Sequence, residues 1–257
     1  VNHTPYFSDE SVTLYLGSCE EILPALEPVD HIITDPPYSA HVHGNARSSR
    51  MESANERGGQ YESDTRRNVD LGFEHLSTEL RALCAEQFAR LARRWVLVFS
   101  DVESDYLWRE DMVAMGLDYV RTGAWHKVGS TPQFSGDRPA TAFEAITICH
   151  PKGKKKWNGG GSHAWWSVPI VLDRSRKGSG RLHPTQKPLP LMEALVDQFT
   201  DAGDTILDPF GGSGTTALAA AEAGRKCIVI ERDEKHAETI TKRIQQRRFA
   251  LDFGGVA

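Results

Sequence analysis

Four consecutive residues, Asp35-Pro36-Pro37-Tyr38, bring a carboxylate, a stiff backbone and a phenol ring to one point. Pro36 and Pro37 cannot extend a strand ladder, and Pro37 steers Pro36 out of the α region, so the chain leaves here as an extended spur. The Pro36 carbonyl is followed by a residue with no N–H. It and the Asp35 carboxylate are therefore two fixed acceptors beside a flat ring. That set suits an aromatic amine, whose N–H groups the acceptors take and whose face the ring covers. The same residues also describe a strand stopped by prolines with a capping Asp, and alone they do not decide between the two.

A second stretch, Asp208-Pro209-Phe210-Gly211-Gly212-Ser213-Gly214-Thr215-Thr216, is a glycine-rich turn between a short apolar run, Thr205 to Leu207, and an Ala-rich helix, Ala217 to Ala223. Such a turn leaves backbone N–H groups free and allows a ligand close to the chain. A third, His183-Pro184-Thr185-Gln186-Lys187-Pro188, opens the helix Leu189 to Phe199.

Together these stretches resemble the S-adenosylmethionine-dependent amino-methyltransferases of DNA, and the likeness covers nearly the whole chain. Asp-Pro-Pro-Tyr is similar to that family's catalytic motif and Asp-Pro-Phe-Gly-Gly-Ser-Gly to its cofactor motif. The catalytic motif comes first, as in the circularly permuted β group. The resemblance implies a Rossmann-like α/β fold with a mixed, mostly parallel seven-stranded sheet and helices on both faces. It implies a methyl group moved from S-adenosylmethionine to the exocyclic amine of a flipped base, with adenine N6 favoured by the Asp at position 35 and cytosine N4 the alternative. Catalysis would rest on Asp35, Pro36, Pro37 and Tyr38. The cofactor would lie against Asp208, Phe210, Gly211, Gly212, Ser213, Gly214 and Thr215, with Glu231 on its ribose. His183, Thr185, Gln186 and Lys187 would stand at its methionine end, where Lys187 or Thr185 could hold the carboxylate. In the family an acid after the first strand contacts the adenine ring; here Ser18 takes that place, and Cys19 offers a backbone N–H.

The elements needed to position these groups can be followed along the chain. Val12 to Leu16 is a short β-type run and Glu20 to Leu26 a helix with acids in its first turn. His31 to Thr34 reads as a buried parallel strand leading into Asp35, the sheet edge at which α/β proteins bind ligands. Thr78 to Arg94 has helical apolar spacing, Trp95 to Phe99 is a buried strand, and Tyr106 to Met115 is again helical until Gly116. Tyr119 to Lys127 and Phe143 to Cys149 form a candidate antiparallel pair. Cys227 to Ile230 ends in Glu231, and Glu234 to Phe249 is a closing helix whose Arg243, Arg247 and Arg248 suit its dipole.

Two segments interrupt this alternation. Residues 39–76 read as a long polar loop expected beside the active site and the DNA, either solvated or touching nucleic-acid phosphates through Arg47, Arg50, Arg66 and Arg67. His41 and His43 are spaced like a metal pair but lack a third ligand, so no metal is expected. Residues 151–182 form a basic segment with three tryptophans. From His150 to Lys187 nine Lys or Arg face a single acid, Asp173, on a chain whose net charge is −5. Lys154, Lys155, Lys156, Trp157, Arg174, Arg176 and Lys177 read as a nucleic-acid groove, cations on phosphates and rings on bases; a solvated loop with inward tryptophans is the alternative. The halves 1–150 and 183–257 then carry catalysis and cofactor within one methyltransferase domain.

With 257 residues there is ample chain for one core. No apolar run reaches membrane-spanning length, and Val1-Asn2-His3 shows no signal pattern. Cys19, Cys84, Cys149 and Cys227 lie far apart and read as reduced, buried thiols. These features lead us to expect a cytoplasmic protein of bacterial or viral origin, acting on double-stranded DNA, with a homodimer left open. Two other function classes compete. Gly212-x-Gly214-x-x-Ala217 followed by Glu231 loosely fits a dinucleotide fingerprint, as in an oxidoreductase, and the basic segment fits a non-catalytic DNA-binding protein.

Overall fold

The computed structural model describes residues 4–37, 76–130, 137, 139–171 and 186–253, the last six of these as backbone. In chain order the elements are β1 (Phe7–Ser8), β2 (Val12–Leu16), α1 (Cys19–Ile22), a 3₁₀ turn (Leu23–Ala25), β3 (His31–Thr34), α2 (Thr78–Leu91), β4 (Val96–Ser100) and α3 (Val102–Ala114). They continue with β5 (Asp118–Val128), β6 (Phe143–His150), β7 (Trp165–Pro169), α4 (Leu189–Phe199), β8 (Thr205–Asp208), α5 (Thr215–Glu222), β9 (Lys226–Glu231) and α6 (Glu234–Phe253).

One sheet runs β1-β2-β9-β8-β3-β4-β6-β5-β7. Strands β2, β9, β8, β3 and β4 are mutually parallel, and β6 returns antiparallel between β4 and β5. The seven strands expected from the sequence are the contiguous set β2 to β5 in that order, and among the described residues the count is corrected to nine by one strand at each edge. Two-residue β1 is too short for any periodic signal. Strand β7 lies within the segment expected to break the alternation, yet pairs parallel with β5 from Ala124↔Trp165 to Val128↔Pro169. Its terminal proline suits an edge strand, whose outer side needs no ladder. Gly123 makes room for it, since a Cβ there would stand 2.7 Å from the Trp166 ring.

Alternate residues of each strand feed two cores, as a period of two requires. Ile33, Leu97 and Phe99 pack with Leu195 and Phe199 of α4, Ala219 of α5 and Ile240 of α6. Ile32, Val96 and Val98 pack with Ile22 of α1, Phe88 of α2, and Trp108 and Met112 of α3. Helix ends follow their caps. Ser77 accepts from the Leu80 N–H at 3.1 Å, and Asp101 accepts from the Ser104 N–H at 2.7 Å. The Asp101 cap starts α3 at Val102, earlier than the apolar spacing suggests. Pro24 turns the expected first helix into a single α turn plus the 3₁₀ turn.

From β3 the chain crosses to β4, and from β8 it crosses the other way to β9. The carboxyl ends of β3 and β8 are therefore the topological switch point, the place where such sheets open a crevice for ligands. Asp35 follows β3 and Asp208 ends β8.

Candidate active site

Strand β3 is buried along its whole length because it has a parallel neighbour on each side. Its last residue, Thr34, donates to Asp208 Oδ1 at 2.8 Å and so ties the two motif-bearing strands together. The Phe210 N–H also reaches Asp208 Oδ1, at 3.2 Å. Burial lifts the Asp208 carboxyl to about 7; the hydroxyls of Thr216 and Thr34 oppose the shift and the nearby Asp35 adds to it.

Asp35 enters a charge array in which Lys187 and Glu144 are buried and Asp35 and Lys127 are half-buried. Lys187 Nζ donates to Asp35 Oδ2 at 2.5 Å and lies 3.2 Å from Glu144 Oε2, and Lys127 Nζ lies 2.5 Å from Glu144 Oε1. Lys187 is only 6% exposed, roofed by the rings of Phe99 at 5.0 Å and Trp125 at 5.9 Å. Asp35 Oδ1 is buried with no hydrogen-bond partner among the described residues. Pro36 is buried and Pro37 half-buried beside it. Desolvation lifts the Asp35 carboxyl above its ordinary value, Lys187 opposing and Glu144 reinforcing. Desolvation pulls Lys187 downward, but Asp35 and Glu144 overcome it and the net direction is upward. The site therefore offers one desolvated, unpaired carboxylate oxygen, which is what a donor such as an amine needs.

The glycine turn is built for close packing. Gly212 and Gly214 have φ of 51° and 74°, in the left-handed region. A Cβ on Gly211 would stand 2.5 Å from Val229 Cγ1, and one on Gly214 would stand 2.9 Å from Ile240 Cγ1. Gly214 caps α5 without a side chain, leaving the helix's first N–H groups without a side-chain acceptor. Ser213 and Thr215 share a hydroxyl contact at 3.0 Å. Arg243 donates to the Ser213 carbonyl and Arg247 to that of Ala221, at the far end of α5. These arginines thus brace the turn and its helix, which corrects the reading of Arg243 and Arg247 as mere partners of their own helix dipole.

Glu231, at the end of β9, accepts from the Gly212 N–H at 2.6 Å and the Asp233 N–H at 2.8 Å, so its carboxylate is fixed beside the turn. Leu16 pairs with Glu231 across β2 and β9, and the Gly17 N–H donates to the Glu231 carbonyl. That brings Ser18 and Cys19 to the same edge. Ser18 caps α1, accepting from Glu21 N–H at 3.4 Å. Cys19 is buried, as are Cys84, Cys149 and Cys227. The fold thus gathers Asp35, Pro36, Pro37, Gln186, Lys187, Asp208 to Thr215, Glu231, Ser18 and Cys19 at one sheet edge.

The lysines of the basic segment are elsewhere. β6 runs from Ala145, opposite Ser100, to Cys149, opposite Val96, so the chain after it emerges at the edge remote from Asp35. There Lys155 pairs with Asp118 at 2.9 Å and Lys156 with Asp201 at 2.7 Å, which pulls the Asp201 carboxyl down to about 2. The Lys156 carbonyl accepts from Trp95 Nε1 at 2.6 Å. Lys154 is exposed beside them. Trp157 packs edge-on against Phe199 at 4.7 Å, and Trp166 is buried and donates to Gln198. Trp165, 53% exposed and stacked on His126 at 5.5 Å, is the open ring of the three. Lys154, Lys155, Lys156 and Trp157, read from the sequence as a nucleic-acid groove, thus stand at the edge remote from Asp35, where acids pair with two of the lysines.

Tyr38, His41, His43, Arg47, Arg50, Arg66, Arg67, Arg174, Arg176, Lys177, His183 and Thr185 lie outside the described residues. Glu144 and Lys127 were missed in the sequence. Their signal was an acid, Glu144, inside an otherwise apolar strand, which demands a buried cation. Among the described residues no group of three or more metal-ligating side chains is gathered, and no helix is long and apolar enough to cross a membrane.

A family model described as DNA methylase matches residues 29–242. The type II methyltransferase M2.LlaDCHI of Lactococcus lactis subsp. cremoris is 27% identical over 263 residues, covering 94% of this chain and 92% of that protein. The crystal structure of the M1.HpyAVI–SAM complex superposes with a TM-score of 0.65 at 24% identity, over 91% of this chain and 98% of that one. The cytosine-N4-specific PvuII DNA methyltransferase superposes with a TM-score of 0.71 at 16% identity, over 94% and 89%.

Proposed function

The chain belongs to the DNA methylase family, whose model spans residues 29–242, and on that premise we propose that it methylates the N6 amine of adenine in double-stranded DNA, with S-adenosylmethionine as donor. The observation that carries this reading is the buried Oδ1 of Asp35 at the switch point, without a hydrogen-bond partner among the described residues. When bound, the cofactor supplies an activated methyl group on a sulfonium. The residues present suit it: a bare α5 N-terminus at Gly214, a fixed acid at Glu231 and the Asp208 turn, all on the edge that Asp35 shares. The turn from Asp208 to Thr215 and Glu231 would hold it.

An exocyclic amine is out of reach within a stacked duplex, so the base is flipped. Asp35 Oδ1 and the Pro36 carbonyl accept its two N–H groups and turn the nitrogen lone pair toward the methyl. The Asp35 charge stabilises the positive charge that grows on nitrogen. Much of the rate comes from holding that geometry. Adenine is favoured by Asp, rather than Ser, at the head of the motif. Titrated methyl donor and unmethylated DNA, followed by nucleoside analysis, test the reading. N6-methyladenine is expected; N4-methylcytosine as the product would overturn the choice of base.

A further inference from the structure

We propose that Lys187 and Glu144 are positioning residues for Asp35, and that Lys187 does not serve as the counter-ion of the cofactor's carboxylate. The inference rests on Asp35 being the acceptor of the target amine. Its ground is geometric. Lys187 Nζ sits between Asp35 Oδ2 at 2.5 Å and Glu144 Oε2 at 3.2 Å, under the Phe99 and Trp125 rings. An ammonium that is itself buried between two carboxylates cannot turn to a third without leaving one of them behind, and a buried charge left without its partner is strongly unfavourable. Lys127 closes the array on the other side of Glu144. Among the described residues two acids and two lysines thus alternate, and they link the ends of β3, β6 and β5 at the site edge.

The consequence for Asp35 is orientation. Lys187 occupies Oδ2, and the carboxylate plane is thereby set with Oδ1 toward the amine. Glu144 holds Lys187 in that place, and its own strand position, opposite Trp125, is fixed by the sheet. A lysine free to swing would let the carboxylate rotate and would blur the angle at which the amine is held.

The groups that face Asp35 among the described residues are Lys187, Glu144, Lys127 and Asp208. Lys187 favours its ionised form and Glu144 disfavours it, so their removal has opposite signs. Lys187→Met should raise the Asp35 pKa and move the acid limb of the kcat profile upward by about one pH unit or more. Glu144→Gln should lower it and move the limb downward. Both should reduce kcat, by roughly tenfold to a hundredfold for partners that orient a reacting group. Calorimetry should find the dissociation constant for S-adenosylmethionine changed by less than about threefold, well under one tenfold step. Carboxyl-carbon NMR of the ligand-free protein, with Asp35→Asn to assign the signal, reads the same two opposite shifts without turnover.

A cofactor affinity that falls tenfold or more in Lys187→Met, with kcat and the acid limb unmoved, would overturn the proposal. So would acid limbs and Asp35 titrations that stay put or move the same way in both variants, as a purely structural role predicts. Should Lys187→Met fail to fold, Lys187→Arg and Glu144→Gln carry the test: Arg should restore the wild-type titration of Asp35, and an unmoved Glu144→Gln titration overturns the inference. Near-normal activity in Asp35→Ala is a different result and removes the functional reading itself.

Discussion

Gly214→Ala isolates what the glycine turn demands. Two separate penalties meet at this position. The backbone is left-handed at φ 74°, which costs a residue with a Cβ about 1–2 kcal/mol. The new methyl would stand 2.9 Å from Ile240 Cγ1, 3.1 Å from Cγ2 and 3.3 Å from Cβ. Those atoms are the branched root of a fully buried side chain and cannot swing away, so overpacking adds about 1–3 kcal/mol. The sum is about 2–5 kcal/mol, measured as a lower urea midpoint at unchanged slope. Ile240→Ala removes Cγ1 and Cγ2 and separates the terms. In that background Gly214→Ala should cost only the backbone term, giving a coupling of about 1–3 kcal/mol between the two sites. A cost below about 0.5 kcal/mol, or one that is the same in both backgrounds, would refute the packing account of the turn.

Asp208, with its carboxyl raised to about 7 by burial, favours the fold when protonated. Its contribution is complete below the unfolded value near 3.8 and is lost as pH rises through 7, so Asp208→Asn should melt higher than the parent at pH 8 and keep less than half of that advantage at pH 5; equal differences at both pH values would count against it. Glu231→Ala should weaken S-adenosylmethionine binding by about 1–3 kcal/mol, since the Gly212 and Asp233 N–H groups lose their acceptor and the turn its anchor; calorimetry showing no change in a folded variant would remove Glu231 from the site. Neutralising Lys154, Lys155 and Lys156 together should leave the salt slope of DNA binding nearly unchanged, because they lie on the remote edge; a slope smaller by about three phosphate equivalents would restore them to the interface.

The sequence made legible whatever rests on local pattern. Apolar runs such as His31 to Thr34 and Cys227 to Ile230 have no stable home except a doubly flanked strand, and the structure pairs both on each side. Gly116 ends α3 at φ 92°, as a helix stop should. What stayed hidden depends on contacts distant in sequence. Strand β7 carries two tryptophans, one buried and one exposed, among lysines and glycines, and only the space left by Gly123 shows why it joins the sheet. Composition records the charge of the lysines before it, not their direction. The reversal of β6 sends them away from Asp35, where Asp118 and Asp201 meet them. No pattern reveals that Glu144 and Asp35, more than a hundred residues apart, converge on Lys187.

In the proposed function Asp35 acts on the amine while the cofactor rests on the glycine turn. Asp35→Ala separates the two in one preparation, using tritiated methyl transfer to DNA beside calorimetry with S-adenosylmethionine. Loss of a preorganised acceptor of this kind typically lowers the rate by about a hundred- to a thousandfold. The account predicts that loss in methyl transfer, with cofactor affinity close to the parent's. An Asp35→Ala protein that methylates DNA at a near-normal rate would contradict it.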